Sequence, residues 1–158
     1  MATIPITRRG AEKLKTELQQ LKTVERHAVI RAISEARAQG DLSENAEYEA
    51  AKDKQGFIEG RILEVESKLA AAQIIDPSSL DAGGRVVFGA TVDLEEEASG
   101  QEVTYQIVGD DEADLKKGLI SISSPIARSM IGREAGDVAE VHAPGGVKRY
   151  EIVEVRYV

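Results

Sequence analysis

Between residues 48 and 72, Tyr48, Ala51, Gln55, Ile58, Ile62, Val65, Leu69 and Ala72 recur at alternating steps of three and four. An α-helix repeats every 3.6 residues, so this spacing lays all eight along one stripe, the seam of a coiled coil. A stripe of that length needs a second helix to cover it. The preceding residues offer one: Leu14, Leu18 and Leu21 share the spacing, the register slips after Leu21, and Val24, Ala28, Ile30, Ile33 and Ala36 continue a looser stripe. Thr7 stands where a helix cap belongs, Gly40 is a C-terminal stop, and Asp76-Pro77 closes the second helix. Joined by a short turn, two such helices are expected to lie antiparallel, with arms of about 45 Å at 1.5 Å per residue. The seam should narrow from Leu14 and Leu69 at the base to Ala32, Ala36, Ala51 and Tyr48 near the turn. Gly56 and Gly60 interrupt the second helix, where each costs about 1 kcal/mol relative to alanine; close helix approach or bending is the expected reason for them.

From Arg85 onward the period changes to alternation. Val86–Val92, Val103–Val108, Leu119–Ile122, Val138–Val141 and Tyr150–Val155 read as five strands. Ser99-Gly100 and Pro144-Gly145-Gly146 are turn signals that join the first two and the last two as antiparallel hairpins. Ser124 through Gly132 reads as a short helix with a serine cap, proline at its first position and glycine as its stop. The expected fold class is therefore α+β: an N-terminal antiparallel coiled-coil hairpin over 1–76, a linker over 77–84 rich in Pro, Ser, Asp and Gly, and a small antiparallel sheet domain with one short helix over 85–158.

Composition removes several classes of function. The sequence has no cysteine, and its two histidines, His27 and His142, lie far apart, so a thiolate zinc site, a cysteine nucleophile and a metal held by the protein alone are not expected. The net charge is −8, with 12 basic and 13 acidic residues over 1–76 and 8 and 15 over 77–158. That balance, together with 4% aromatics and no Trp, disfavours direct high-affinity grip on DNA or RNA. The first residues resemble no secretory signal and no apolar run is long enough to span a bilayer, so a soluble cytoplasmic protein is expected. Asp110-Asp111-Glu112-Ala113-Asp114 lacks the glycine and terminal glutamate of a calcium loop and reads as helix capping. His142 reads as a strand surface residue, and no serine has a paired base.

The turn between the helices, Gly40-Asp41-Leu42-Ser43-Glu44-Asn45, carries two carboxylates. Asp41 followed three residues later by Glu44 is a capping-box-like pattern, Ser43 competes for the cap, and acidic residues near a helix N-terminus are favoured by its dipole. Chemistry is the other reading. Residues 38–51 contain no Lys or Arg, whereas a solvated face normally mixes signs, and an unpaired acidic tip suits an electropositive cavity or a metal ion. Spacing alone leaves both readings open.

Residues 40–48, together with Val108-Gly109-Asp110-Asp111-Glu112-Ala113-Asp114 and Ser124-Pro125-Ile126-Ala127-Arg128, resemble the Gre family of bacterial transcript cleavage factors over essentially the whole chain. The resemblance implies a coiled-coil hairpin followed by an FKBP-like domain, with RNA polymerase as partner. It implies that the second domain docks at the mouth of the polymerase secondary channel, and that the hairpin enters it to stimulate the polymerase's own cleavage of backtracked RNA. Asp41 and Glu44 then serve in trans as catalytic residues and as ligands of a Mg²⁺ shared with the polymerase, the chain being no nuclease by itself and a monomer. Arg37 and Lys52 are the implied contacts to the extruded RNA, although Lys52 stands where the family usually carries arginine. Ser121, Ser123, Ser124, Pro125, Ile126 and Arg128 form the implied polymerase-docking segment; the competing reading is that Ile122, Ile126 and Ile131 are simply core. Two alternatives stand beside this: an inhibitory homologue that fills the channel without promoting cleavage, which the Asp-x-x-Glu pair disfavours, and an isomerase or chaperone module, for which Phe88, Tyr105, Tyr150 and Tyr157 are a sparse aromatic lining.

Overall fold

In a computed structural model, residues 3–40 and 45–158 are described and fall into two compact units, one of residues 11–72 and the other of residues 3–10 and 73–158. The first unit thus ends at residue 72, four residues before the expected boundary, and residues 3–10 belong to the second unit.

The first unit is the antiparallel hairpin. Helix α1 (Arg8–Gln20) passes through a π-helical turn (Leu21–Glu25) into α2 (Arg26–Arg37), and α3 (Ala46–Ala71) returns. Ala51, Ile58, Ile62 and Val65 of α3 are buried, as the heptad spacing requires. In α2 the expectation holds at Ile33 and Ala36 and is corrected at the other positions. The buried residues are Val29, Ile33 and Ala36, while Val24, Ala28, Ile30 and Ala32 are exposed. A π turn takes up one extra residue, so the stripe that reaches Leu21 resumes one position later than an uninterrupted α-helix would place it. The slip visible in the sequence after Leu21 is this insertion. Val29, Ile58 and Ile62 form a core cluster, with Leu18 and Leu21 packed against it.

Charged pairs fix the same alignment from outside. Arg61 meets Glu17 through two nitrogens (Nε–Oε2 2.6 Å, Nη2–Oε1 2.8 Å), and Arg26 meets Glu59 in the same way (2.9 and 2.8 Å). Two-pronged contacts of this kind are directional as well as attractive. The hydrogen bond from Arg61 holds the Glu17 carboxyl below its ordinary range, and Glu17 in turn raises Arg61.

Gly56 and Gly60 do not serve close approach. Both are exposed, and a Cβ added at either would meet nothing within 4 Å. Each therefore contributes only the entropic penalty of glycine in a helix. Gly56→Ala and Gly60→Ala are each expected to stabilise the hairpin by about 0.5–1 kcal/mol, read as a raised melting temperature; unchanged or lowered values would show that the backbone there is not simple helix.

In the second unit, β3 (Thr91–Glu96), β4 (Glu102–Val108), β5 (Leu119–Ser121), β6 (Val138–Ala143) and β7 (Gly146–Arg156) form one sheet in the order β5-β4-β3-β7-β6. Four of the five expected strands fall where alternation put them. The first does not: residues 86–90 form a turn in which Ala90 N donates to Val87 O (3.0 Å) and Gly89 takes φ +89°, and the strand begins at Thr91. Val86 and Ala90 are nevertheless fully buried, so their hydrophobicity reports the core and not a strand. The sheet is antiparallel except between β4 and β5, which run parallel with Val108 opposite Ser121. Its core includes Val92, Leu94, Ile107 and Ile152 and is closed by Ala127 and Met130 of helix α4 (Pro125–Met130).

Two short strands were not legible in the sequence. Ile4–Thr7 (β1) pairs with Ala72–Ile75 (β2), so the second helix ends at Ala71 and not at Asp76. The expected linker is also structured: Asp76 caps a 3₁₀ turn at Pro77–Ser79, and Pro77 is buried. No helix among the described residues is long and apolar enough to cross a membrane.

Candidate functional site

The acidic turn is framed by one side chain. Asn45 occupies the N-cap of α3, its Oδ1 accepting from Tyr48 N at 3.0 Å, while its Nδ2 donates to Ala36 O in the last turn of α2 at 2.9 Å. A single amide thereby serves both helices. As acceptor it satisfies an N–H that the first turn of α3 leaves without a partner, and as donor it joins Gln39 N on the Ala36 carbonyl at the end of α2. On the α2 side, Gly40 N donates to Arg37 O and Gly40 takes φ +112°, a conformation that glycine enters without steric penalty. The cap is therefore Asn45, two residues beyond Ser43 and four beyond Asp41. Helix α3 begins at Ala46, so Glu44 does not open it. Asp41, Leu42, Ser43 and Glu44 themselves lie outside the described residues.

The expected basic pair stands on either arm. Arg37, exposed at the end of α2, sets its guanidinium carbon 5.9 Å from the centre of the Tyr48 ring, within cation–π range. Lys52 is exposed one turn beyond Tyr48 and donates to Gln55 Oε1 at 3.2 Å. Among the described residues, neither is bound in an ion pair that would hide its charge. Glu47 and Glu49 occupy the first turn of α3, where the dipole favours them. No group of three or more His, Cys, Asp or Glu able to hold a metal ion occurs among the described residues.

The serine-rich segment of the second unit is organised more tightly than sequence reasoning suggested. Ser124 caps α4 by accepting from Ala127 N (3.3 Å), and its hydroxyl donates to Ser121 O (2.7 Å). Asp110, in the 3₁₀ turn after β4, accepts from the hydroxyls of both Ser121 and Ser123, the latter at 2.6 Å. These two bonds, with Arg128 nearby, hold the Asp110 carboxyl below its ordinary range. Ile122 and Ile126 are partly buried against the core, whereas Ile131 is 41% exposed, so the core reading holds for two of the three isoleucines. Pro125 and Arg128 face solvent.

The acidic run at 110–114 caps, as expected, but further than its own helix. Glu112 accepts from Gly109 N (2.8 Å) in its own turn, and also from Thr7 N (3.0 Å) and the Thr7 hydroxyl. Thr7 in turn accepts from Gly10 N (3.2 Å), the capping role the sequence assigned to it. His142 is exposed on β6, beside Glu140 at 3.9 Å. The sequence pattern gives Asp110 and Glu112 a capping role only, not their bonds to Ser121, Ser123 and Thr7, and it gives Asn45 no role, although Asn is a residue type favoured at caps immediately before a helical run.

An antiparallel helical hairpin followed in the chain by a five-stranded sheet unit is the two-part architecture of a transcription elongation factor, and a family model of such factors falls on each part. Residues 4–74 match the family model described as transcription elongation factor, N-terminal, and residues 81–157 match transcription elongation factor, GreA/GreB, C-terminal. The chain belongs to the GreA/GreB family of transcription elongation factors. Curated relatives named transcription elongation factor GreA include that of Verminephrobacter eiseniae, 72% identical with 99% of each chain covered. That of Ralstonia nicotianae is 73% identical over the same shares. Among solved structures, a GreA/GreB factor of Nitrosomonas europaea is 26% identical, with 99% of this chain and 100% of that one covered at a TM-score of 0.43. A GreA factor homologue (Gfh1) of Thermus thermophilus is 27% identical over 98% and 99%, also at 0.43.

Proposed function

We propose that this chain binds RNA polymerase as a cytoplasmic monomer, inserts its hairpin into the secondary channel, and stimulates the polymerase's own hydrolysis of backtracked RNA. The observation that carries the proposal is the placement of the helix cap. Asn45 caps α3 and ties it to α2, so the capping explanation for Asp41 and Glu44 is no longer needed. What remains is a pair of carboxylates with no Lys or Arg anywhere between residues 38 and 51. A run of sequence that carries carboxylates and no basic residue is suited to an electropositive or metal-containing cavity.

The donor chemistry fits Mg²⁺, which prefers oxygen ligands. Asp41 and Glu44 supply two such ligands, too few for a complete shell, so the remainder must come from the polymerase and from water. When bound, the ion lowers the pKa of an attacking water and stabilises charge in phosphoryl transfer. The two carboxylates would complete its site and orient that water. Arg37 and Lys52, exposed on the two arms, would meet the phosphates of the extruded RNA end; Lys52 offers a point charge there and not the fork of an arginine. Ser121, Ser123, Ser124, Pro125, Ile126 and Arg128 would form the docking segment.

The direct test adds the protein to a halted, backtracked elongation complex. Rapid shortening of the RNA from its 3′ end, with release of a short fragment and none from free RNA, is the expected result. An unaltered rate of cleavage would overturn the proposal in favour of an inhibitory channel binder or a factor of another kind.

A further inference from the structure

We infer that Asp110 is a positioning residue for the polymerase-docking segment, holding the turn after β5 in the shape the partner meets; this rests on the docking role proposed above. The parallel pairing of β4 and β5 brings the ends of both strands to the same edge, with Val108 opposite Ser121. Asp110 follows Val108 by two residues and so lies beside the turn that begins at Ser121. One oxygen, Oδ1, accepts from Ser121 Oγ and from Ser123 Oγ. The two hydroxyl oxygens are only 2.8 Å apart. Each hydroxyl has a single proton, and an acceptor that takes both is what orients the pair. Ser121 Oγ then accepts from Ser123 N (3.1 Å), and Ser121 O accepts from Ser124 N (2.9 Å) and the Ser124 hydroxyl.

The chain from carboxylate to helix cap is thus continuous: Asp110 to Ser121, Ser121 to Ser124, Ser124 to Ala127 N. It spans the whole connection between β5 and α4, and Ser123, Pro125 and Arg128, all exposed, are displayed from it. The Asp110 contacts are themselves exposed to solvent, where a hydrogen bond adds little to global stability but can still select one local conformer. A partner that binds only the ordered turn loses affinity in proportion to the fraction of molecules that hold it.

The test measures the concentration of protein giving half-maximal cleavage of a backtracked complex, the rate at saturation, and the melting temperature. Asp110→Ala is expected to raise the half-maximal concentration by about tenfold, leaving the saturating rate and the melting temperature close to wild type. Asp110→Asn, whose amide oxygen still accepts from both hydroxyls, should restore most of the affinity. The double variant Ser121→Ala, Ser123→Ala keeps the carboxylate but removes both donors and should weaken docking at least as much as Asp110→Ala does; if Asp110→Ala folds poorly, a double variant that docks as wild type does overturns the role of Asp110. Arg128→Glu separates this inference from the reading beneath it. If Arg128→Glu weakens half-maximal action while Asp110→Ala and the serine double variant do not, the docking segment stands and the role of Asp110 is overturned. If none of these variants alters it, the docking segment itself is wrong.

Discussion

Asp41→Asn and Glu44→Gln are each expected to reduce stimulated cleavage on the order of 100-fold, the scale on which removing one preorganised electrostatic group acts in an active centre. Neither should lower the melting temperature of the free protein measurably. The two expectations belong together because the helix cap has been located. Were Asp41 or Ser43 the N-cap, a substitution there would cost about 1 kcal/mol of stability, and lost activity could be blamed on a loosened hairpin. With Asn45 accepting from Tyr48 N, the helix keeps its first turn whatever stands at 41 or 44. A variant that loses activity at full stability identifies chemistry; one that loses stability at full activity identifies a structural role. Binding to polymerase should persist in both variants, since docking is assigned to the second unit, and excess variant should compete with wild type.

Asn45 gives the second large effect, and its two hydrogen bonds can be separated. Asn45→Asp retains an acceptor for Tyr48 N and adds a negative charge where the dipole of α3 favours it. It cannot donate to Ala36 O, and it sets a carboxylate against that carbonyl. Stability should therefore stay near wild type, while stimulated cleavage falls by roughly tenfold or more, because groups misplaced by about 1 Å at a reacting centre cost rates of that order. Asn45→Ala removes both bonds and should show the same loss of activity with about 1 kcal/mol of destabilisation as well. Full stimulation by Asn45→Asp would mean that the tie between α2 and α3 does not position the turn.

The legibility of the fold followed the range of the forces involved. The α3 seam could be read because its period is a local property and its burial pattern, Ala51, Ile58, Ile62 and Val65, obeys it. In the facing stripe Ile33 and Ala36 are legible and Val29 is not, because a π turn at Leu21–Glu25 has no distinctive composition and only the break in spacing announces it. Val86 and Ala90 read as strand because buried turns and buried strands share the same hydrophobicity; Gly89 marks the difference. Strands β1 and β2 were invisible because each is four residues long and exists only by pairing with the other across more than sixty residues. The same limit applied to the site. The carboxylates at 41 and 44 stood out as charges without partners, whereas Asn45 declares its double role only when Ala36 O is seen beside it. Asp110 meets Ser121 and Ser123 only through the parallel β4–β5 pairing, a tertiary event that the sequence pattern, read as wholly antiparallel, did not anticipate.

The measurement bearing most directly on the central claim is a Mg²⁺ titration of RNA cleavage in one backtracked complex, run without the protein, with wild type, and with the Asp41→Asn, Glu44→Gln double variant. Supply of carboxylate ligands in trans requires that wild type lower the Mg²⁺ concentration for half-maximal cleavage, and that the double variant, bound at saturation, return it to the value of polymerase alone. Equal Mg²⁺ dependence for wild type and double variant, with cleavage stimulated in both, would contradict the claim and leave the acidic turn without a part in the chemistry.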